Sequence, residues 1–161
     1  MNIRIASAQG DIEEVRKLFR EYAESLGVQL DFQDFEREVS QLPGEYAAPD
    51  GVLLVAEEKG EYLGCVALRR IGAPDSSTCE MKRLYVRPEV RGRSLGRRLS
   101  RDVISRATEM GYAKMVLDTL GRLKAAMKLY ESLGFKRTSP YYDNPLPGVV
   151  YWTLDLQEVV E

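Results

Sequence analysis

The chain contains no histidine. That excludes Ser-His-Asp and Cys-His catalysis, histidine-ligated metal sites and an imidazole general base. It holds two cysteines, Cys65 and Cys79, too few for a four-cysteine zinc site. No metal is expected. Long apolar runs are also missing, and none approaches the roughly 18 residues a membrane span needs. The opening Met1-Asn2-Ile3-Arg4 lacks the apolar stretch of a secretory signal. These absences predict a cytoplasmic protein with no membrane partner. The cysteines then read as free thiols that fill strand interiors in a reducing compartment. There is no general excess of positive charge either: Lys+Arg is 23 against Asp+Glu 25. That argues against a general nucleic-acid binder.

What remains is an ordinary globular mixture of 161 residues, 44% apolar and 30% charged, which predicts one domain over 1–161. Arg4 to Ser7 reads as a first strand. Asp11 with Glu14 resembles a capping box opening a helix, which Ile12, Val15, Leu18, Phe19, Tyr22 and Leu26 continue until Gly27. A second helix is expected from near Asp31, with Phe32, Phe35, Val39 and Leu42 on one face. Val52 to Ala56 and Tyr62 to Arg69 form a hairpin around Lys59-Gly60. Cys79 to Val86 is a strand and Ser94 to Met110 a helix. Lys114 to Asp118 is a short buried strand, and Leu123 to Leu133 a helix ended by Gly134. Phe135 to Arg137 and Val149 to Leu156 close the chain as strands. The order predicts an α+β fold around one twisted mixed sheet.

Charge is unevenly placed. Residues 87–106 carry seven arginines against Glu89 and Asp102, a local excess of +5, which leaves −7 for the rest of a chain whose net is −2. Within that window a strand runs into Arg91-Gly92-Arg93-Ser94-Leu95-Gly96-Arg97 and then a helix. Amides at a helix start are unsatisfied, and with the helix dipole they favour a phosphate-like anion. Glycines let the backbone approach it and arginines add charge-assisted hydrogen bonds. The loop has neither the G-K-[ST] ending of a Walker loop nor a G-x-G-x-x-G dinucleotide fingerprint.

Arg91-Gly92-Arg93-Ser94-Leu95-Gly96 resembles the R/Q-x-x-G-x-G/A loop of the GCN5-related N-acetyltransferase (GNAT) superfamily. It follows a Lys82-Arg83-Leu84-Tyr85-Val86-Arg87-Pro88 strand of that family's type. Further on, Ala126-Met127-Lys128-Leu129-Tyr130-Glu131-Ser132-Leu133-Gly134-Phe135 is similar to its A-x-x-L-Y-E-x-L-G-F helix. The element order fits across nearly all of the chain. Two positions depart from the pattern. Ser94 stands where a glycine is usual; its hydroxyl could crowd a pyrophosphate, or cap the helix and donate to a phosphate. Leu123 stands where many members have Asn, so Lys124 could supply that contact.

The resemblance implies a mostly antiparallel twisted sheet flanked by helices and splayed between its fourth and fifth strands. It implies acetyl-CoA as co-substrate and acetyl transfer to a primary amine, by direct attack on the thioester. Amides from Arg91 to Arg97 would cradle the pyrophosphate, with Lys124 nearby, and Leu84, Tyr85 and Val86 would pair with the pantetheine arm. Tyr85 or Val86 N–H would polarise the carbonyl. Tyr130 is the candidate acid for the leaving thiolate, also in contact with the cofactor, and Glu80 the candidate base, with water or Asp118 as substitutes. Strand alternation would put Glu80, Lys82, Leu84 and Val86 on one face. Tyr22, Phe32, Tyr141, Tyr142, Asp143 and Asn144 are candidates for the acceptor side. Asp143 could hold an ammonium, and Arg83 or Arg137 a carboxylate. The acceptor expected is a small-molecule amine or an amino acid, with a peptide or protein amine as alternative. A catalytically idle acyl-CoA-binding sensor is a further reading, and an arginine-rich nucleic-acid binder a remote one. Monomer and homodimer both remain open.

Overall fold

The structure, a computed structural model, describes residues 1–28, 30 and 34–157. Short apolar runs form the strands β1 (Asn2–Ile5), β2 (Val52–Glu58), β3 (Glu61–Arg70), β4 (Thr78–Val86), β5 (Lys114–Leu120), β6 (Lys136–Thr138) and β7 (Val149–Asp155). Stretches with helical apolar spacing form α1 (Gln9–Leu26), α2 (Phe35–Ser40), α3 (Leu95–Glu109) and α4 (Lys124–Ser132). The strands make one sheet in the order β1-β2-β3-β4-β5-β7-β6. Only the β4–β5 pair is parallel; the other neighbours run antiparallel.

Each face of the sheet has its own core. On one, Leu95, Leu99, Val103 and Ala107 of α3 pack with Val66, Leu68 and Met81. On the other, Val15, Leu18 and Phe19 of α1 pack with Val55, Cys65, Ala67 and Tyr85. Those three α1 side chains are fully buried. Each such burial contributes about 1.5–3 kcal/mol, well beyond helix propensity, so tertiary packing holds α1 in place. Both cysteines are buried and unpaired. Gly64 is needed where β3 meets β4: a Cβ there would stand 2.6 Å from the Tyr85 carbonyl oxygen.

Three sequence expectations are corrected, the first being β1, which spans Asn2–Ile5 rather than Arg4 to Ser7. Helix α1 starts at Gln9 rather than at Asp11. Asp11 sits one turn in, and its carboxylate reaches back to the amides of Ser7 and Ala8 at 3.0 and 3.3 Å. Helix α2 starts at Phe35; Asp31 and Phe32 lie outside the described residues. Two short 3-10 turns, Gly44–Tyr46 and Pro88–Val90, were not expected.

Asp11 also clamps the sheet edge. It is 3% exposed and receives two hydrogen bonds from Arg4, at 2.7 and 2.9 Å, and one from the Tyr62 hydroxyl. The Arg4 guanidinium holds its carboxyl well below the usual carboxylate range, with the Tyr62 hydroxyl and the two amides adding to the effect. The folded state therefore prefers ionised Asp11. Its stabilisation is complete above the unfolded carboxylate pKa and is lost as pH falls toward the depressed folded value. Asp11→Ala is expected to lower the unfolding free energy at pH 7 by about 2–3 kcal/mol, discounted because Arg4 is partly solvated. Urea melts at pH 7 and pH 3 check it: the deficit should shrink at pH 3.

Candidate active site

The site begins where β4 and β5 stop pairing. They are joined at Thr78–Lys114, Cys79–Met115 and Glu80–Val116, and no further. Beyond that point β4 stays on β3 and β5 on β7, so a gap opens between them. A bulge then re-aims β4. Tyr85 lies opposite Cys65 and Lys82 opposite Ala67, which leaves Arg83 and Leu84 facing a single residue, and Arg83 takes φ 60°. This overturns the expectation that Glu80, Lys82, Leu84 and Val86 share a face. Glu80 and Lys82 point toward α2, whereas Leu84 and Val86 pack against the core under α3 and α4.

Two cavities lie near this opening and share one wall residue. The larger, about 950 Å³, lies between α2, the Gly44–Tyr46 turn and the outer ends of β3 and β4. Glu38, Arg69, Glu80, Lys82, Tyr141 and Tyr142 contribute to its wall. The smaller, about 100 Å³, occupies the gap itself and is lined by Tyr22, Leu84, Leu117, Asp118 and Tyr130, among others. Lys82 lines both.

The side chains around the opening form paired networks. Glu80, 1% exposed, accepts from Arg69 Nε at 2.8 Å on one oxygen and from the Tyr141 hydroxyl at 2.5 Å on the other. Asp118 Oδ2 accepts from the Tyr142 hydroxyl and from Asn144 Nδ2, the latter at 2.9 Å. Consecutive tyrosines thus tie one loop to both diverging strands. Arg83 grips Glu38 through two hydrogen bonds of 2.8 and 2.9 Å and lies over the Phe35 and Tyr22 rings. Burial and the neighbouring Arg83 guanidinium bring the Lys82 ammonium down to about 8. Tyr130 is buried against Phe135 and Trp152, and burial raises its phenol, so it stays protonated across the neutral range.

The arginine-rich loop lies at the start of α3. The first backbone hydrogen bond there runs from Arg98 N–H to the Ser94 carbonyl. The amides of Leu95, Gly96 and Arg97 therefore belong to the open helix end. Gly92 takes φ 87°, and a Cβ on Gly96 would meet nothing closer than Leu129 at 3.7 Å. Ser94 also takes a left-handed backbone, φ 59°, and its hydroxyl makes no cap hydrogen bond, so of the two readings of this position the capping one is not realised. It adopts the glycine-like conformation at a cost of about 1–2 kcal/mol instead. Arg91 donates to the Val86 carbonyl at 3.2 Å, Arg93 to Glu58 and Arg97 to Ser132. An open helix end after an exposed loop, with three flanking arginines, fits the diphosphate of a coenzyme A.

Other expected site residues are placed elsewhere. Asp143 is exposed and borders neither cavity. Arg137 lies over the Trp152 ring, 5.0 Å from its centroid. Lys124 is exposed at the first turn of α4. Lys82, Arg69 and Glu38 were not singled out from sequence. Their importance depends on cross-strand and helix contacts, although the alternation of Lys82 with Glu80 was a usable signal.

A mixed sheet opened between adjacent parallel strands, with an open helix end flanked by arginines beside the opening, is the architecture of an N-acyltransferase. The comparisons agree. The family profile described as the acetyltransferase (GNAT) family matches residues 12–135. An uncharacterized N-acetyltransferase of Schizosaccharomyces pombe is 44% identical over 160 residues, covering 98% of this chain and 97% of its own. A GNAT-family acetyltransferase from Staphylococcus aureus Mu50 superposes with TM-score 0.79 at 19% identity, covering 97% of this chain and 99% of that one. YncA from Salmonella typhimurium, solved with its cofactor acetyl-CoA, superposes with TM-score 0.70 at 24% identity, covering 100% of this chain and 96% of its own. The chain belongs to the GNAT family, and it is an N-acetyltransferase. Among the described residues no helix is long and apolar enough to cross a membrane.

Proposed function

We propose that the enzyme transfers acetyl from acetyl-CoA to the primary amine of a small molecule or an amino acid. The observation that carries this is the pair of cavities near the β4–β5 opening that share one wall residue, with the larger one bordered by both acidic and basic side chains. The helix start at Leu95–Arg97, with Arg91 and Arg93, would hold the pyrophosphate, and Leu84 to Val86 the pantetheine arm. Acetyl-CoA supplies the acyl group. Tyr130 would protonate the departing sulfur. Glu80, Tyr141 and Tyr142 would shape the acceptor side, with Tyr22 and Arg83 on the wall of the gap.

Relatives point to the amino-acid option. N-acetylaspartate synthetases from Danio rerio and Homo sapiens are 35% and 34% identical over 113 and 143 residues, covering 70% and 89% of this chain. The matches cover 39% and 43% of those longer proteins. A cavity lined by Arg37 and Arg69 offers cations for a carboxylate.

Calorimetric titration with acetyl-CoA tests the first half of the proposal. One-site binding is expected, with Arg91→Ala about tenfold weaker, the loss of one charge-assisted contact. Absence of binding at millimolar acetyl-CoA would defeat the proposal. Acetyl transfer to a panel of amino acids, polyamines and peptide amines then tests the acceptor class. Turnover confined to peptides would replace the small-molecule reading.

A further inference from the structure

An acceptor amine arrives largely as an ammonium and must lose a proton before it can attack. Three carboxylates near the opening already hold partners, Glu38 among them through Arg83. Glu80 uses one oxygen for Arg69 and the other for Tyr141, and Asp118 holds Tyr142 and Asn144. No histidine exists to take the proton. Among the described residues, Lys82 alone lies on the walls of both cavities. It therefore borders the place where amine and thioester must meet, on the same face as Glu80.

We infer that the neutral amine of Lys82 is the proton acceptor for the attacking ammonium. The inference rests on the acetyltransferase reading above and deepens it. Its electrostatic setting supports the role. On its own strand Lys82 is neighboured by Glu80 and Arg83. From β3 it is faced by Arg69, from α2 by Glu38 and from β5 by Asp118. Among the described residues, the phenols of Tyr22, Tyr46, Tyr130, Tyr141 and Tyr142 also line the two cavities. Glu80 and Glu38 raise the proton affinity of Lys82, but each is matched by its own arginine, and burial with Arg83 and Arg69 prevails. The ammonium comes down to about 8, where neutral and charged forms coexist near the working pH.

The step balances without any further reactant. The Lys82 Nζ lone pair takes one proton from R–NH3+. The freed nitrogen lone pair attacks the thioester carbonyl carbon, so a C–N bond forms and the C–S bond breaks. Tyr130 gives its hydroxyl proton to the departing sulfur and is restored by the second nitrogen proton. Lys82 then releases its proton to solvent. The products are an amide, a thiol and one proton.

The test combines two readouts on Lys82→Met, Lys82→Arg and the wild type. The first is kcat/KM from pH 6 to 10 with the best acceptor in the amine panel. Both variants are expected to lose about 10²–10⁴-fold. They should keep acetyl-CoA affinity within threefold and retain only the limb set by the acceptor's own ammonium. Arginine keeps the charge but does not give up its proton, so it should not rescue. The second readout is a carbon NMR titration of protein labelled at the lysine ε-carbon, with Lys82 assigned by its loss in Lys82→Met; a midpoint near 8 is expected. Wild-type activity in Lys82→Arg would overturn the inference, because charge alone would then suffice. So would a midpoint above 10. A wild type that binds no acetyl-CoA would defeat the acetyltransferase reading instead, and the NMR midpoint would still decide whether Lys82 is a competent acceptor.

Discussion

A Tyr130→Phe enzyme is expected to bind acetyl-CoA normally and to turn over about 10²–10³-fold more slowly. The ring is held by Phe135 at 5.8 Å and Trp152 at 6.3 Å between centroids, and phenylalanine keeps both contacts. Stability should therefore change by less than about 1 kcal/mol. What is lost is the hydroxyl on the wall of the gap. A thiolate leaving into a narrow gap within the protein is less well solvated than in water, so proton donation at sulfur lowers the barrier. Burial raises the Tyr130 phenol, so it is a full donor throughout the neutral range and adds no pH limb of its own. The deficit should appear in kcat, with KM for acetyl-CoA nearly unchanged. It should shrink when the coenzyme is replaced by one with a more acidic thiol. Turnover near wild type would remove Tyr130 from the mechanism and leave it a core aromatic beside Trp152.

Much of the architecture was legible because it is local. The apolar spacing of α1 and α3, the Lys59-Gly60 turn and the glycine stops after α1 and α4 are written within a few residues of where they act. The strand-to-loop-to-helix unit at Arg91–Arg97 was legible for the same reason. The acceptor side was not, because it is built from register. Nothing in Lys82-Arg83-Leu84-Tyr85 announces a bulge at arginine, which ordinarily avoids positive φ. The bulge shows only in the β3–β4 register, three residues beyond the last β4–β5 pair at Glu80–Val116. It reverses the alternation and separates Leu84 and Val86 from Glu80 and Lys82. Arg69 meets Glu80 only because those two positions are cross-strand partners. Asp143 looked like the acidic residue of the aromatic loop, yet Tyr142 and Asn144 turn inward to Asp118 and leave Asp143 in solvent.

Glu80→Gln should separate two roles that a single activity loss would confuse. The amide matches the carboxylate in shape but cannot accept from Arg69 and Tyr141 on both sides, since one oxygen becomes a donor NH2. Arg69 keeps Glu45 at 2.6 Å, but Glu45 is largely exposed and a weaker partner. The mismatch in a buried network is expected to cost about 1–3 kcal/mol of stability. Tyr141 loses its anchor, so the acceptor wall loosens and acceptor KM rises about tenfold or more, with acetyl-CoA affinity retained. The pH profile carries the decision. Glu80 raises the proton affinity of Lys82, so removing its charge lets Lys82 lose its proton more readily. The limb near pH 8 should therefore move to lower pH in Glu80→Gln and remain visible. If Glu80 were itself the proton acceptor, the limb would vanish and the loss would match that of Lys82→Met. Adding Tyr141→Phe to Glu80→Gln should cost little more than Glu80→Gln alone, because the two share one hydrogen bond. Full additivity would mean that Tyr141 contacts the acceptor directly rather than acting through Glu80.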